Sequence, residues 1–338
     1  MAPYRAPRWL PGGHVQTIYA WLLAARPRVA YRRERWDTPD GDFVDVDWLS
    51  YPATRQPSAI TPQCAAHRPA IDAPLVVLFH GLEGSSESSY AHSLMDETRK
   101  LGWRGVVVHF RGCGGAANRL PRAYHSGDSV ELDWMLRRLS AEHAGPLYAA
   151  GVSLGGNVLL KWLGEQGAAA AAVVARAAAI SAPINLAAAG DALGRGFNLA
   201  YTHSFLWTLK RKSLAKLVHH PALYDAALVR RARTLRAFDD VVTAPLHGFA
   251  DADDYWKRAS SKPWLANIAV PALILNARND PFLPEDSLPS AGEISSCVTL
   301  EFPAEGGHVG FVTGPFPGNL SWLPKRILEF FQGNASCQ

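Results

Sequence analysis

The sequence predicts an α/β protein: a mostly parallel central sheet flanked by helices, with a long helical insertion late in the chain. Three observations carry that prediction. Short apolar runs recur, as in strands buried on both faces. Segments of helical spacing separate them, and residues 185–262 break the alternation with helical patterns alone.

Taken in order, residues 1–36 are rich in Pro, Arg and aromatics and read as an irregular lead-in. Residues 42–49 alternate polar and apolar, the pattern of a half-buried strand near a sheet edge. Residues 51–73 carry no period and read as a loop. The runs 75–80, 105–110 and 147–152 are continuous and apolar, and each reads as a buried strand. Between them, 89–101 and 129–139 space Leu, Met, Trp and Val as amphipathic helices do. Two later strands are expected at 270–275 and 298–302, and 327–331 falls in a final helix. Within the insertion, 197–212 and 226–238 are helical, so 185–262 reads as a cap over a core made of 1–184 and 263–338.

Composition narrows the classes. The 338 residues are 48% apolar and 19% charged, which excludes a disordered or collagen-like chain. A net charge of +4 is too mild to point to nucleic acid. The apolar run 18–25 follows Pro7, Pro11, Gly12, Gly13 and His14, which suits neither a signal peptide nor a membrane span. The alanine-rich stretch 168–180 contains Arg176 and is shorter than the roughly 20 residues a span needs. Cys64, Cys113, Cys297 and Cys337 form no CxxC and no zinc-finger spacing, so reduced thiols in a cytoplasmic protein are the simplest expectation.

The most informative residues are Gly151-Val152-Ser153-Leu154-Gly155. They follow a buried strand and open a helix, the context of a G-x-S-x-G nucleophile elbow. The turn is so tight that side chains two residues to either side of the serine would collide, which is why glycine occupies both places. A nucleophilic serine needs a base, and the base an orienting acid, in the chain order Ser, Asp/Glu, His. Asp280 follows the predicted strand 270–275, and His308 sits among glycines after the strand 298–302. Considered singly, they could be a turn Asp before Pro and a surface His. Their shared position after late strands, in the required order, makes them the candidate acid and base. Oxyanion donors are expected from the backbone N–H of Leu154 and, in the glycine-rich loop His80-Gly81-Leu82-Glu83-Gly84, from that of Leu82.

This constellation resembles the α/β-hydrolase superfamily, and within it the YheT-type hydrolases with the related abhydrolase-domain lipid esterases. The supporting segments are 11–17 (Pro-Gly-Gly-His-Val-Gln-Thr), 80–86, 110–115, 151–157, 243–249 and the Asp280 and His308 loops, spread over nearly the whole chain. The resemblance implies an α/β-hydrolase fold and a serine esterase on acyl esters, with Ser153, Asp280 and His308 as its triad. The membrane anchor of the eukaryotic members has no counterpart in this sequence. Short- to medium-chain esters are the expected substrates, with monoacylglycerol-like lipids as the physiological form. Thioesterase, amidase, peptidase and acyltransferase activities use the same triad, and a non-catalytic binding protein on this fold is the remaining alternative.

Other patterns carry less. Residues 112–117 match G-x-G-x-x-A, but Asn118-Arg119-Leu120-Pro121 follows where a dinucleotide site needs a helix, so a loop lining the pocket is expected. His220 and Asp225 satisfy the H-x4-D pattern of acyltransferases, a match that 12 histidines make easy by chance. His14 and His125 each stand near glycines, where packing is the plainer role. The insertion holds Lys210, Arg211, Lys212, Lys216, Arg230, Arg231, Arg233 and Arg236, which read as a solvated face or as a surface for peripheral contact with anionic membrane. No HExxH, P-loop or metal-ligand cluster occurs, so neither metal nor organic cofactor is implied.

Overall fold

The computed structural model describes residues 2–51, 69–333 and 337. Most of the predicted loop at 51–73, with Cys64, lies outside the described residues. The elements run in chain order as α1 (Gly13–Leu22), β1 (Tyr31–Asp37), β2 (Phe43–Leu49), β3 (Leu75–Phe79), α2 (Ser89–Lys100), β4 (Arg104–Val108), α3 (Ser129–Ala141), β5 (Leu147–Val152), α4 (Leu154–Gln166) and β6 (Arg176–Ile180). Then come α5 (Leu186–Leu193), α6 (Asn198–Lys216), α7 (Ala226–Arg231), α8 (Leu235–Phe238), α9 (Ala244–His247) and α10 (Ala252–Ala259). The chain closes with β7 (Ala272–Leu275), β8 (Val298–Glu301) and α11 (Trp322–Gln332).

One eight-stranded sheet organises the core, in the order β1-β2-β4-β3-β5-β6-β7-β8. β1, β2 and β4 pair antiparallel, and every pairing from β4 to β8 is parallel. Successive residues of a strand face opposite layers. Val77 and Phe79 of β3 therefore pack with Leu132 of α3 and Val158 of α4, whereas Val76 and Leu78 pack with Met95 of α2 and Ile327 of α11. The chain steps from β3 to β4 on one side and returns to β5 on the other, so a crevice opens at the carboxyl ends of β3 and β5.

Three expectations need correction, and one strand was not foreseen. The lead-in is not irregular: it supplies α1 and edge strand β1. The alternating strand at 42–49 does lie near the sheet edge, second from it, but it is not half-buried, because its polar residues are buried as ion pairs. Asp45 and Asp47 lie directly opposite Arg35 and Arg33 of β1. Arg33 forks onto Asp47 at 2.8 and 2.7 Å, and His109 and Ser86 bond the same carboxylate at 2.8 and 2.6 Å. Burial alone would raise its pKa, but bonds from Arg33, His109 and Ser86 hold it below the usual carboxylate range. The alanine-rich stretch contains a strand, β6, whose Ala177, Ala178 and Ala179 are buried between β5 and β7. Alanine is a poor strand former, and position in mid-sheet overrides that preference. Finally, Cys297 and Cys337 are joined as a disulfide, not held as thiols, because the chain end returns to the start of β8.

Candidate active site

Ser153 stands between β5 and α4 with φ at 52°, a left-handed conformation unusual for a serine. Its amide still pairs as sheet, donating to the Ile180 carbonyl at 2.8 Å, while its carbonyl accepts from Asn157 at 3.1 Å in the first helical turn. A Cβ at Gly155 would lie 2.4 Å from the carbonyl oxygen of Phe79 and 2.6 Å from that of His80. Only glycine lets the helix start this close to β3, which lifts the serine hydroxyl above the sheet edge.

The other two predicted residues meet it there. His308 Nε2 lies 3.0 Å from Ser153 Oγ, and His308 Nδ1 lies 2.8 Å from Asp280 Oδ2. Asp280 is buried, and its second oxygen accepts the Phe282 N–H at 2.9 Å. Phe282 in turn stacks on the His308 ring with centroids 4.2 Å apart. The imidazole is thus fixed by a carboxylate below, a phenyl ring on its face and the serine ahead.

Sequence reasoning did not find what holds the two loops. The start of α1 reaches across to both. Thr17 Oγ1 accepts the His308 N–H at 2.8 Å and donates to the Gly13 carbonyl at 2.7 Å. Gln16, fully buried, accepts from the Gly306 N–H at 2.9 Å and the Asn279 side chain at 3.0 Å. Asn279 Oδ1 takes the Gly307 N–H at 3.0 Å, and Ser181 Oγ the Val309 N–H at 3.2 Å. The contact is close enough that a Cβ on Gly13 would sit 1.9 Å from the Asn279 carbonyl oxygen. The signal was present in residues 11–17, but a polar helix start does not say which distant loops it will bind.

The two residues expected to supply oxyanion amides, Leu82 and Leu154, also line this crevice. Leu154 is the first residue of α4, where an N–H has no intrahelical acceptor. Leu82 is bracketed by fixed neighbours: Gly81 N–H donates to Tyr90 Oη and Glu83 N–H to Tyr124 Oη, both at 2.9 Å. Glu83 has φ at 55°, and its carboxylate accepts from Tyr124 at 2.8 Å and pairs with Lys212 of α6 at 2.8 Å. Beneath the loop, burial pushes His80 down to about 3, so the ring is neutral. It donates from Nδ1 to the Gly81 carbonyl at 2.7 Å and accepts the Phe110 N–H at 3.1 Å.

A sequence profile described as alpha/beta hydrolase fold matches residues 74–315. The chain belongs to that family. It is 39% identical over 324 residues to a candidate esterase, YheT, of Escherichia coli (strain K12), covering 94% of this chain and 89% of that one. It is 30% identical over 327 residues to the mouse phospholipase ABHD3, covering 96% of this chain and 77% of the relative. A medium-chain fatty acid ethyl ester synthase/esterase 2 of Saccharomyces cerevisiae is 30% identical over 292 residues, with 77% of this chain and 62% of the yeast protein aligned. Among solved structures, the Pyrococcus furiosus esterase Pf2001 shares the fold at a TM-score of 0.55 and 15% identity, covering 98% of this chain and 96% of that one.

In this hydrolase the crevice deepens into a cavity of about 380 Å³ that Ser153, His308, Leu82 and Leu154 share. Its remaining walls are mainly apolar, and many come from the helices between β6 and β7, among them Leu186, Phe205, Leu209, Phe238 and Trp256. The glycine-rich loop after β4 lines the same cavity through Gly112 and Gly115, and no helix begins there before Ser129. Asp225 caps α7 by accepting from Ala227 N–H at 2.6 Å, and His220 bonds the Arg119 carbonyl at 3.1 Å, so the H-x4-D pair serves local structure. His14 packs against Phe197 and Tyr201 with centroids 4.8 and 5.9 Å away. His125 lies against His247 in the cavity wall at 4.5 Å. The predicted helix at 226–238 is broken after Arg231, and Thr234 caps α8 through its hydroxyl. Among the described residues, no helix is long and apolar enough to cross a membrane, and no three His, Cys, Asp or Glu side chains are grouped to hold a metal.

Proposed function

We propose that this chain, a carboxylic ester hydrolase, cleaves acyl esters through a covalent acyl-enzyme formed on Ser153. The observation that carries the reading is the unbroken line from Asp280 through His308 to Ser153, with both links within hydrogen-bond distance. His308 Nε2 takes the hydroxyl proton as Ser153 Oγ attacks the ester carbonyl carbon. Asp280 keeps the proton on Nδ1 and stabilises the imidazolium that forms. The Leu82 and Leu154 amides receive the negative oxygen of the tetrahedral intermediate. His308 then protonates the leaving alcohol, and a water molecule repeats the sequence to free the acid and restore Ser153.

The segment 185–262 serves as a cap whose apolar inner surface receives the acyl chain. A cavity of about 380 Å³ is at the small end of ligand sites, which run from ~300 to 1,000 Å³, and suits one short or medium acyl chain. The relatives named as a phospholipase and as a medium-chain ethyl ester esterase support a lipid-like ester. The test is turnover of a p-nitrophenyl ester series, acetate to palmitate, by wild type and Ser153→Ala, with fluorophosphonate labelling of both. The expected result is hydrolysis and labelling by wild type alone, best at short to medium chain. Hydrolysis that persists in Ser153→Ala overturns the assignment.

A further inference from the structure

The outer surface of α6 is both basic and apolar. No Asp or Glu occurs between Asp191 and Asp225, although this stretch holds Arg195, Lys210, Arg211, Lys212 and Lys216. The inward residues Tyr201 and Leu206 are buried. Outward, at one-turn spacing, come Leu199, His203, Trp207 and Arg211, all exposed. Trp207 is 60% accessible and Phe197, at the start of α6, 57%, values that waste apolar area in water. The Arg211 guanidinium lies over the Trp207 ring at 4.9 Å, joining a cation to the aromatic surface. The charge continues sideways: Lys210 Nζ bonds the Arg230 carbonyl at 3.0 Å, which draws α7 alongside with exposed Leu228, Arg230 and Arg231.

This face also borders the mouth of the cavity. Arg211 and Ala215 are exposed and yet line it, and across from them the lip is formed by exposed Gly115 and Ala117. A surface that presents tryptophan, leucine and phenylalanine beside Lys210, Arg211, Arg230 and Arg231 matches the boundary of an anionic lipid bilayer. A soluble polyanion would satisfy the cations and leave the rings in water. We propose that the outer face of α6, with α7, docks on anionic phospholipid membrane and sets the cavity mouth against the lipid from which ester substrates enter. The docking itself does not depend on the reaction assigned to Ser153.

The experiment is co-sedimentation of the full chain with phosphatidylcholine vesicles, with or without phosphatidylglycerol, at ~0.05 and ~0.5 M salt. Wild type and Ser153→Ala are expected to bind equally to the anionic vesicles at low salt, and to bind poorly to neutral vesicles or at high salt. Trp207→Ala lowers partitioning about tenfold, and Arg230→Glu with Arg231→Glu lowers it more than about twentyfold, since each basic residue near the surface is worth about fivefold. Both variants keep wild-type turnover of a water-soluble ester, which shows that they are folded. Absence of wild-type binding at low salt overturns the proposal. So does an unchanged partition coefficient in either variant, or binding to duplex DNA as strong as to vesicles and indifferent to Trp207. Loss of esterase activity in Ser153→Ala with vesicle binding intact bears on the triad alone.

Discussion

Thr17→Val tests whether α1 works as a clamp on His308. The exchange keeps the side chain's shape and removes one hydroxyl, which receives the His308 N–H at 2.8 Å and donates to the Gly13 carbonyl at 2.7 Å. Thr17 is buried, so water does not easily replace the lost partner. The His308 N–H is left without a partner, which costs about 1–3 kcal/mol of stability, while the Gly13 carbonyl keeps its bond in the helical ladder of α1. The loop can relieve part of this only by moving, and a shift of ~1 Å at His308 lengthens the bond to Ser153 Oγ and costs up to ~100-fold in rate. We therefore expect kcat on p-nitrophenyl butyrate to fall about ten- to a hundredfold while KM changes less than about threefold, because the acyl chain's contacts are untouched. Thr17→Ser keeps the hydroxyl and loses only a methyl, about 1 kcal/mol, and should retain near wild-type kcat. Urea unfolding and steady-state kinetics of both variants decide the matter. Equal kcat in Thr17→Val and wild type, or equal losses in the valine and serine variants, refutes the clamp.

Lys212→Met should lower kcat/KM about tenfold or more by leaving the Glu83 carboxylate without its cation at 2.8 Å, and Glu83→Gln on that background should restore part of it in a double-mutant cycle. Burial depresses four histidines from 6.5: His125 to about 4, His80 and His247 to about 3, and His143 in the same direction. The unfolded chain therefore binds more protons than the folded one below pH 6.5, so stability is complete above that pH and falls as the solution is acidified toward pH 4. His125 alone accounts for a loss of about 2 kcal/mol at pH 5, and calorimetry of His125→Asn should show about one proton fewer taken up on unfolding at that pH. Gly155→Ala forces a Cβ to 2.4 Å from the Phe79 carbonyl, and its soluble yield and melting temperature should collapse relative to Ser153→Ala.

What the sequence disclosed and what it hid separate along a physical line. Local rules were enough for Ser153: a buried strand, a helix and two glycines at fixed offsets leave one backbone path, and it is the path observed. Asp280 and His308 were legible because residues that follow parallel strands are delivered to a common edge, whatever the loops between them do. The failures share the opposite property. The aspartates of β2 looked solvent-facing because alternation reports polarity, and polarity equals exposure only when no opposite charge arrives from elsewhere; here Arg33 and Arg35 arrive by strand pairing. The alanines of β6 carry almost no preference, so their strand exists through its neighbours. Gln16 and Thr17 are the sharpest case, since their partners lie 290 and 291 residues away and no spacing rule spans that distance. The three side chains of the candidate site were encoded locally, and the precision with which they are held depends on contacts that only the folded chain creates. For that reason the Thr17 and Lys212 substitutions, which leave Ser153, His308 and Asp280 in place, probe the part of the enzyme that the sequence kept silent.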